Sequence, residues 1–111
     1  METEDITLGG NIRLAGFRDF GKSDMFVVRK LVGSYARKIS DDFGDYQELV
    51  VTAKSVHGSE KHTGRVEVHV RLTLTSGELF VSEEVDMNLF SSLDGAFKSL
   101  LAQVTSRLRK D

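Results

Sequence analysis

The chain contains no cysteine and no proline in 111 residues. Without cysteine, neither a disulfide framework nor a thiolate metal site is available. Without proline or any low-complexity stretch, nothing marks a linker, a repeat or a domain boundary, so a single domain over 1–111 is expected. Long apolar runs are also missing: none approaches the roughly 20 residues a helix needs to span a bilayer. Charge of one sign is not in excess either. Fifteen Lys and Arg stand against seventeen Asp and Glu, a formal net charge of −2. That argues against a protein that coats nucleic acid by bulk charge. A local basic face stays open, because a few clustered cations act over a Debye length of about 8–10 Å. The start, Met1-Glu2-Thr3-Glu4-Asp5, is acidic, the reverse of a signal peptide's basic opening, so a cytoplasmic protein is expected.

What is present is clear periodicity. Residues 1–10 read as a flexible arm ending in Gly9-Gly10, and Ile12-Arg13-Leu14-Ala15 as a short strand stopped by Gly16. Ser23 is placed to cap a helix, with Asp24 suiting the positive end of its dipole. Val28, Leu31, Val32, Tyr35, Ile39 and Phe43 then recur at helical spacing as one stripe, with Lys30 and Arg37 nearly opposite, and Gly44 ends the run. Leu49 to Lys54 reads as a strand, and Gly58 to Gly64 as a loop by composition. Val66, Val68, Val70, Leu72 and Leu74 alternate with polar residues, a strand with one buried and one wet face. Ser76-Gly77 makes a hairpin turn into a strand over Leu79 to Val85. Asn88 caps a last helix whose stripe is Phe90, Leu93, Phe97, Leu100, Leu101, Val104 and Leu108, with Arg107, Arg109 and Lys110 at its end. The simplest way to bury these faces is an α+β two-layer sandwich: β-α-β-β-β-α, a mixed four-stranded sheet with two helices packed on one face.

One stretch matches a catalytic pattern. Gly16-Phe17-Arg18-Asp19-Phe20-Gly21-Lys22-Ser23 fits G-x-x-x-x-G-K-[ST], between a strand and a helix, as in a phosphate-binding P-loop. Lys22 would reach the β/γ-phosphates and Ser23 would hold Mg²⁺. Against this, the intervening residues are bulky and charged, no later strand ends in a metal-binding Asp, and the remainder reads as an antiparallel meander. The plainer reading is a connection with Phe17 and Phe20 tucked against the core. His57 and His62 lie in or beside a polar loop and His69 on a wet strand face, with no local carboxylate at ligand spacing, so no metal site is expected. Glu83 and Glu84 point to opposite faces of a strand and cannot work as a pair. No nucleophile elbow or Ser-His-Asp order is visible. No catalytic residue, cofactor, small-molecule substrate or membrane partner is expected.

The cations are the better lead. Lys22, Arg29, Lys30, Arg37 and Lys38 belong to the first loop and helix; Lys98, Arg107, Arg109 and Lys110 belong to the second. With both helices on one side of the sheet, these would share a face able to grip a phosphate backbone. The plainer reading is that exposed helices ordinarily carry Lys and Arg.

The element order and one stretch resemble the ribosome hibernation-promoting factors, the family that includes ribosome-associated inhibitor A. Asn88-Leu89-Phe90-Ser91-Ser92-Leu93-Asp94 is similar to the family's helix opening Asp-Met-Tyr-Ala-Ala-Ile-Asp, and Gly95, Leu100, Gln103, Val104 and Thr105 continue in register. Gly16, Arg29, Lys38, Phe43 and Lys54 also fall at family-like positions. The resemblance covers roughly residues 12–110. It implies a non-enzymatic protein that binds rRNA in the mRNA and tRNA channel of the small ribosomal subunit and blocks translation under stress. It adds Lys54 to the RNA-contacting candidates. The sequence departs from the pattern at Ala102, where the family often has a cation, and at Asn88, where it has Asp. The stretch from Gly58 to Gly64 and the strand after it are longer than usual. Residues 1–111 include no counterpart of the dimerisation domain of the long members, and direct pairing of ribosomes by these residues alone is not expected. Two other readings remain beside this one: a nucleotide-binding protein using Gly16 to Ser23, and a protein-interaction module that kept the fold and lost ribosome binding.

Overall fold

The computed structural model describes residues 6–56 and 65–108. In chain order the elements are β1 (Ile6–Leu8), β2 (Ile12–Ala15), α1 (Lys22–Phe43), β3 (Tyr46–Val56), β4 (Arg65–Leu74), β5 (Leu79–Asp86) and α2 (Leu89–Leu108). The sheet has five strands in the order β1-β2-β3-β4-β5. Only β2 and β3 run parallel, joined across α1; the other neighbours are antiparallel.

The expected four-stranded sheet is therefore one strand short. The extra strand lies in the segment read as an arm: Ile6 pairs with Leu14 and Leu8 with Ile12. Gly9 and Gly10, at φ of 64° and 79°, form the hairpin turn, a left-handed conformation that glycine adopts without a Cβ clash. Three residues are too few to show an alternating pattern, but Ile6 and Leu8 do turn to the core while Thr7 is exposed. The loop from Gly58 to Gly64, with His57 and His62, lies outside the described residues.

Pairing register fixes the two faces. Leu14, Val51, Val70 and Ser82 form one cross-strand row, and Ile12, Leu49, Leu72 and Phe80 the next. Both rows face the helices. Against them pack Val28, Val32, Ala36 and Ile39 of α1 and Leu93, Ala96, Phe97, Leu100 and Val104 of α2, all in one cluster. Each fully buried Leu, Val or Phe contributes about 1.5–3 kcal/mol. The buried polar side chains among the described residues are satisfied. Ser82 Oγ donates to the Ala96 carbonyl at 2.6 Å and Ser92 Oγ to the Val66 carbonyl at 2.7 Å, tying α2 to β4 and β5. Gln103 Nε2 donates to the Val81 carbonyl at 2.9 Å, on the outermost strand.

Asn88 caps α2 as expected, its Oδ1 accepting from the N–H groups of Phe90 and Ser91 at 2.8 and 3.1 Å. The cap of α1 differs from expectation. The helix begins at Lys22 with Gly21 as N-cap and no side-chain bond, so Ser23 is already inside the first turn. Gly44 ends α1, at φ 91°, with its N–H on the Ser40 carbonyl at 3.0 Å. Gly16 is required by space as well as by its φ of 80°: a Cβ there would stand 2.3 Å from the Ala53 carbonyl oxygen.

Candidate nucleic-acid interface

The outward surface of α1 carries Lys22, Arg29, Lys30 and Arg37, all exposed and without a carboxylate partner among the described residues. Their spacing explains this. Val28, Val32 and Ile39 set the buried side; Lys30 and Arg37, two residues from these, fall about 200° round the helix, while Lys22 and Arg29 flank the buried stripe about 100–120° from Val28. Lys38 is also exposed but pairs with Asp42 at 3.1 Å.

Two residues that the sequence pattern did not single out lie on the same surface. Phe26 is 64% exposed, with the Lys30 ammonium over its ring at 5.3 Å from the centroid. Phe20, Lys22, Met25, Phe26 and Arg29 line one open hollow, and Lys30, Gly33, Ser34 and Arg37 line the next. The signal for Phe26 was its position two residues before Val28, on the side away from the apolar stripe. Gly33 sits mid-helix, and a Cβ added there would meet nothing within 4 Å. A mid-helix glycine costs about 0.5–1 kcal/mol relative to alanine. Nothing in the packing of the described residues requires it.

The cations of α2 are held differently. Lys98 pairs with Asp94 at 3.0 Å, and Arg107 Nε donates to Glu78 Oε2. The outward residues Ser91, Ser99, Ala102 and Ser106 are neutral. Lys54 lies in β3 on the sheet face away from the helices, opposite Glu67, so it does not join the helical cations. Arg109 and Lys110 lie outside the described residues.

The sequence matches no family model and no curated protein. What the surface can do therefore rests on its own geometry.

A clasp sets how the helices meet. Tyr35 of α1 stacks on Phe97 of α2, ring centroids 4.6 Å apart and 4° from parallel, and its hydroxyl donates to Asp94 Oδ1. Burial, then the hydrogen bond and charge of Asp94, push the Tyr35 phenol up to about 12. The same bond from Tyr35, helped by Lys98, lowers the Asp94 carboxyl below its ordinary value.

The P-loop-like turn closes against the sheet. Phe17 is 2% exposed and its ring lies 5.9 Å from that of Phe20, while Gly16 abuts the Ala53 carbonyl. The tucked aromatics expected of a connection are present.

On the open sheet face, the expectation of no carboxylate near His69 is corrected. Antiparallel pairing sets Glu83 opposite His69, and Glu67 lies two residues away on the same side. His69 Nε2 stands 2.7 Å from Glu67 Oε2 and Nδ1 3.4 Å from Glu83 Oε1. Their donor atoms fall within 4.8 Å of one another, a set able to approach a metal ion. Each ring nitrogen, however, faces a different carboxylate, so the three groups already serve one another. Glu84, as expected, is on the other face, against Gly95 of α2. Nearby Arg13 and Arg71 flank Val50 and reach Glu48 at 3.3 and 3.9 Å, so this face is a mosaic of both signs.

Proposed function

We propose that this chain is a non-enzymatic RNA-binding protein of the cytoplasm that docks on the small ribosomal subunit and restrains translation. The observation that carries this reading is the concentration of Lys22, Arg29, Lys30 and Arg37 on one exposed helix surface, without carboxylate partners among the described residues, in a chain of net charge −2. A bare cationic surface on a net-negative protein attracts phosphate with a preferred orientation. The resemblance of Asn88–Thr105, and of the element order from β2 to α2, to hibernation factors supports rRNA as the source of that phosphate. Recognition would go through backbone and shape more than base identity.

The test is co-sedimentation with purified small subunits across a salt series. Four phosphate contacts at about 0.7 counterions each give a slope near −3, so affinity falls about 50-fold from 50 to 200 mM salt. Absence of co-sedimentation at the lowest salt would sink the proposal.

The paired cations and neutral outer residues of α2 favour a second reading, a protein-interaction module that keeps the fold and does not bind RNA. It predicts an intact fold, no pelleting with subunits at any salt and a protein partner in pull-downs.

A further inference from the structure

We infer that the outer stripe of α1 seats a nucleotide, with the base stacked on Phe26 and the attached phosphate chain crossing the helix at Gly33 between Lys30 and Arg37. This deepens the RNA-binding reading and rests on it where the nucleotide belongs to RNA.

Four residues define the seat. Phe26, Lys30, Gly33 and Arg37 are spaced four, three and four apart, which places them in one line down the helix. That line is about 16 Å long at 1.5 Å per residue. Phe26 is the end that suits a base. Its ring is 64% exposed, so with Lys30 over one side the other remains open to a flat partner. Phe20 and Met25 give the adjoining hollow an apolar floor, and Lys22 and Arg29 give it a cationic rim. A base stacked on Phe26 borders that apolar floor, and the cations at its rim add positive potential beside it. Aromatic stacking among cations is how unpaired bases are held without sequence preference.

Gly33 is the end that suits a backbone. It faces solvent in mid-helix, and its missing Cβ makes room for nothing among the described residues. What it opens is space between two cations, in the hollow it lines with Lys30, Ser34 and Arg37. A side chain there would hold a phosphate chain off the helix. Glycine is the residue that permits close backbone approach.

The chemistry recognised is a base joined to phosphate, and two sources can offer it: an unpaired stretch of RNA or a free nucleotide. The chain has no tryptophan, so Phe26→Trp introduces a single stacking-sensitive fluorophore. Titration of this variant with a 12-nucleotide oligoadenylate, and separately with ATP and GTP with and without Mg²⁺, reads the two arms. Quenching by the oligonucleotide is expected. Phe26→Ala should weaken oligonucleotide and small-subunit binding by about 5- to 160-fold, the usual span for losing one stacked base. Gly33→Ala should weaken binding while raising the thermal midpoint, a combination that a purely structural glycine does not produce. Quenching by free nucleotides alone would support the seat and assign it to a soluble ligand. No quenching in either arm would overturn it. So would wild-type binding by both Phe26→Ala and Gly33→Ala, even if charge reversal at Arg29, Lys30 and Arg37 abolished subunit binding. That last pattern removes the seat and leaves the RNA-binding reading standing, whereas wild-type protein that fails to pellet with subunits removes the reading itself.

Discussion

Helix α2 begins under the Asn88 carboxamide and has Arg107 in its last turn, where a cation suits the dipole. Helix α1 begins at Gly21 with no side-chain cap, puts Lys22 at its positive end, and carries Asp41 and Asp42 at its negative end, with only Asp24 in the favourable place. Each charge set against a dipole costs about 0.3–1 kcal/mol. The buried sides differ too: α2 contributes Leu93, Phe97 and Leu100, and α1 the smaller Val28, Val32 and Ala36 with Ile39. One helix is arranged to hold the fold. The other tolerates a weak cap, a mid-helix glycine and an exposed phenyl ring, and it has cations that no described carboxylate answers. A surface so poorly tuned for its own stability points to selection for something outside the chain.

The largest expected effect tests the anchoring half of this contrast. Phe97→Ala should destabilise the domain by about 3–5 kcal/mol in urea unfolding. Val32→Ala removes two buried carbons at about 0.8 kcal/mol each and should cost about half as much. Equal losses would break the contrast.

Next is the binding half. Changing Arg29, Lys30 and Arg37 together to Glu should flatten the salt slope of subunit binding by about 2 and weaken affinity at least tenfold. Changing Lys98 and Arg107 to Glu should leave binding within about twofold, because both cations are already occupied by carboxylates and surface pairs contribute little. Equal sensitivity would show that α2 shares the contact.

Capping comes third. Asn88→Ala should cost about 1 kcal/mol, whereas Gly21→Asp should gain a few tenths, both read from urea midpoints. A loss at Gly21 would show that α1's start is less slack than described.

The smallest effect is carried by the clasp between the helices, whose groups keep contact with water. The folded-state phenol of Tyr35 titrates above its ordinary 10, at about 12, so its stabilisation is complete below pH 10 and fades as pH rises toward 12. Asp94 is shifted the other way. Its stabilisation holds above the ordinary 3.8 and is lost as pH falls through the lower folded-state value. Tyr35→Phe should remove the alkaline loss and reduce the acid one, seen as flatter urea midpoints against pH.

The elements that were legible in the sequence were those with long periodic runs. The alternation of Val66 to Leu74 and the stripes of both helices are carried by several residues each, enough to fix face and length. Element β1 was not legible: Ile6-Thr7-Leu8 becomes a strand only because Leu14 and Ile12 lie beside it. The start of α1 differs from the sequence expectation because Ser23 is the stronger capping residue by type, while Gly21, two residues earlier, is the one at the helix boundary. Among the site candidates, position along α1 could be read directly. Pairing could not, since Glu78 reaches Arg107 across 29 residues of chain and Glu83 reaches His69 only through hairpin register. By residue type Phe26 and Gly33 carry no such signal, because an aromatic and a glycine ordinarily mean core and turn.

The two outer strands of the sheet differ in length and in what guards them. A strand with a free edge is a template on which another chain can add by main-chain hydrogen bonds, the first step of fibre growth. On one side β1 offers three described residues, and on the other Gln103 of α2 occupies the carbonyl of Val81, the third residue of β5. An incoming strand would have to displace that side chain before it could register, beside the exposed apolar Leu79, Val81 and Val85 that would otherwise invite it. Gln103 thus works as a guard against self-templating, and its replacement by an apolar residue should show first as concentration-dependent aggregation, before any change in fold.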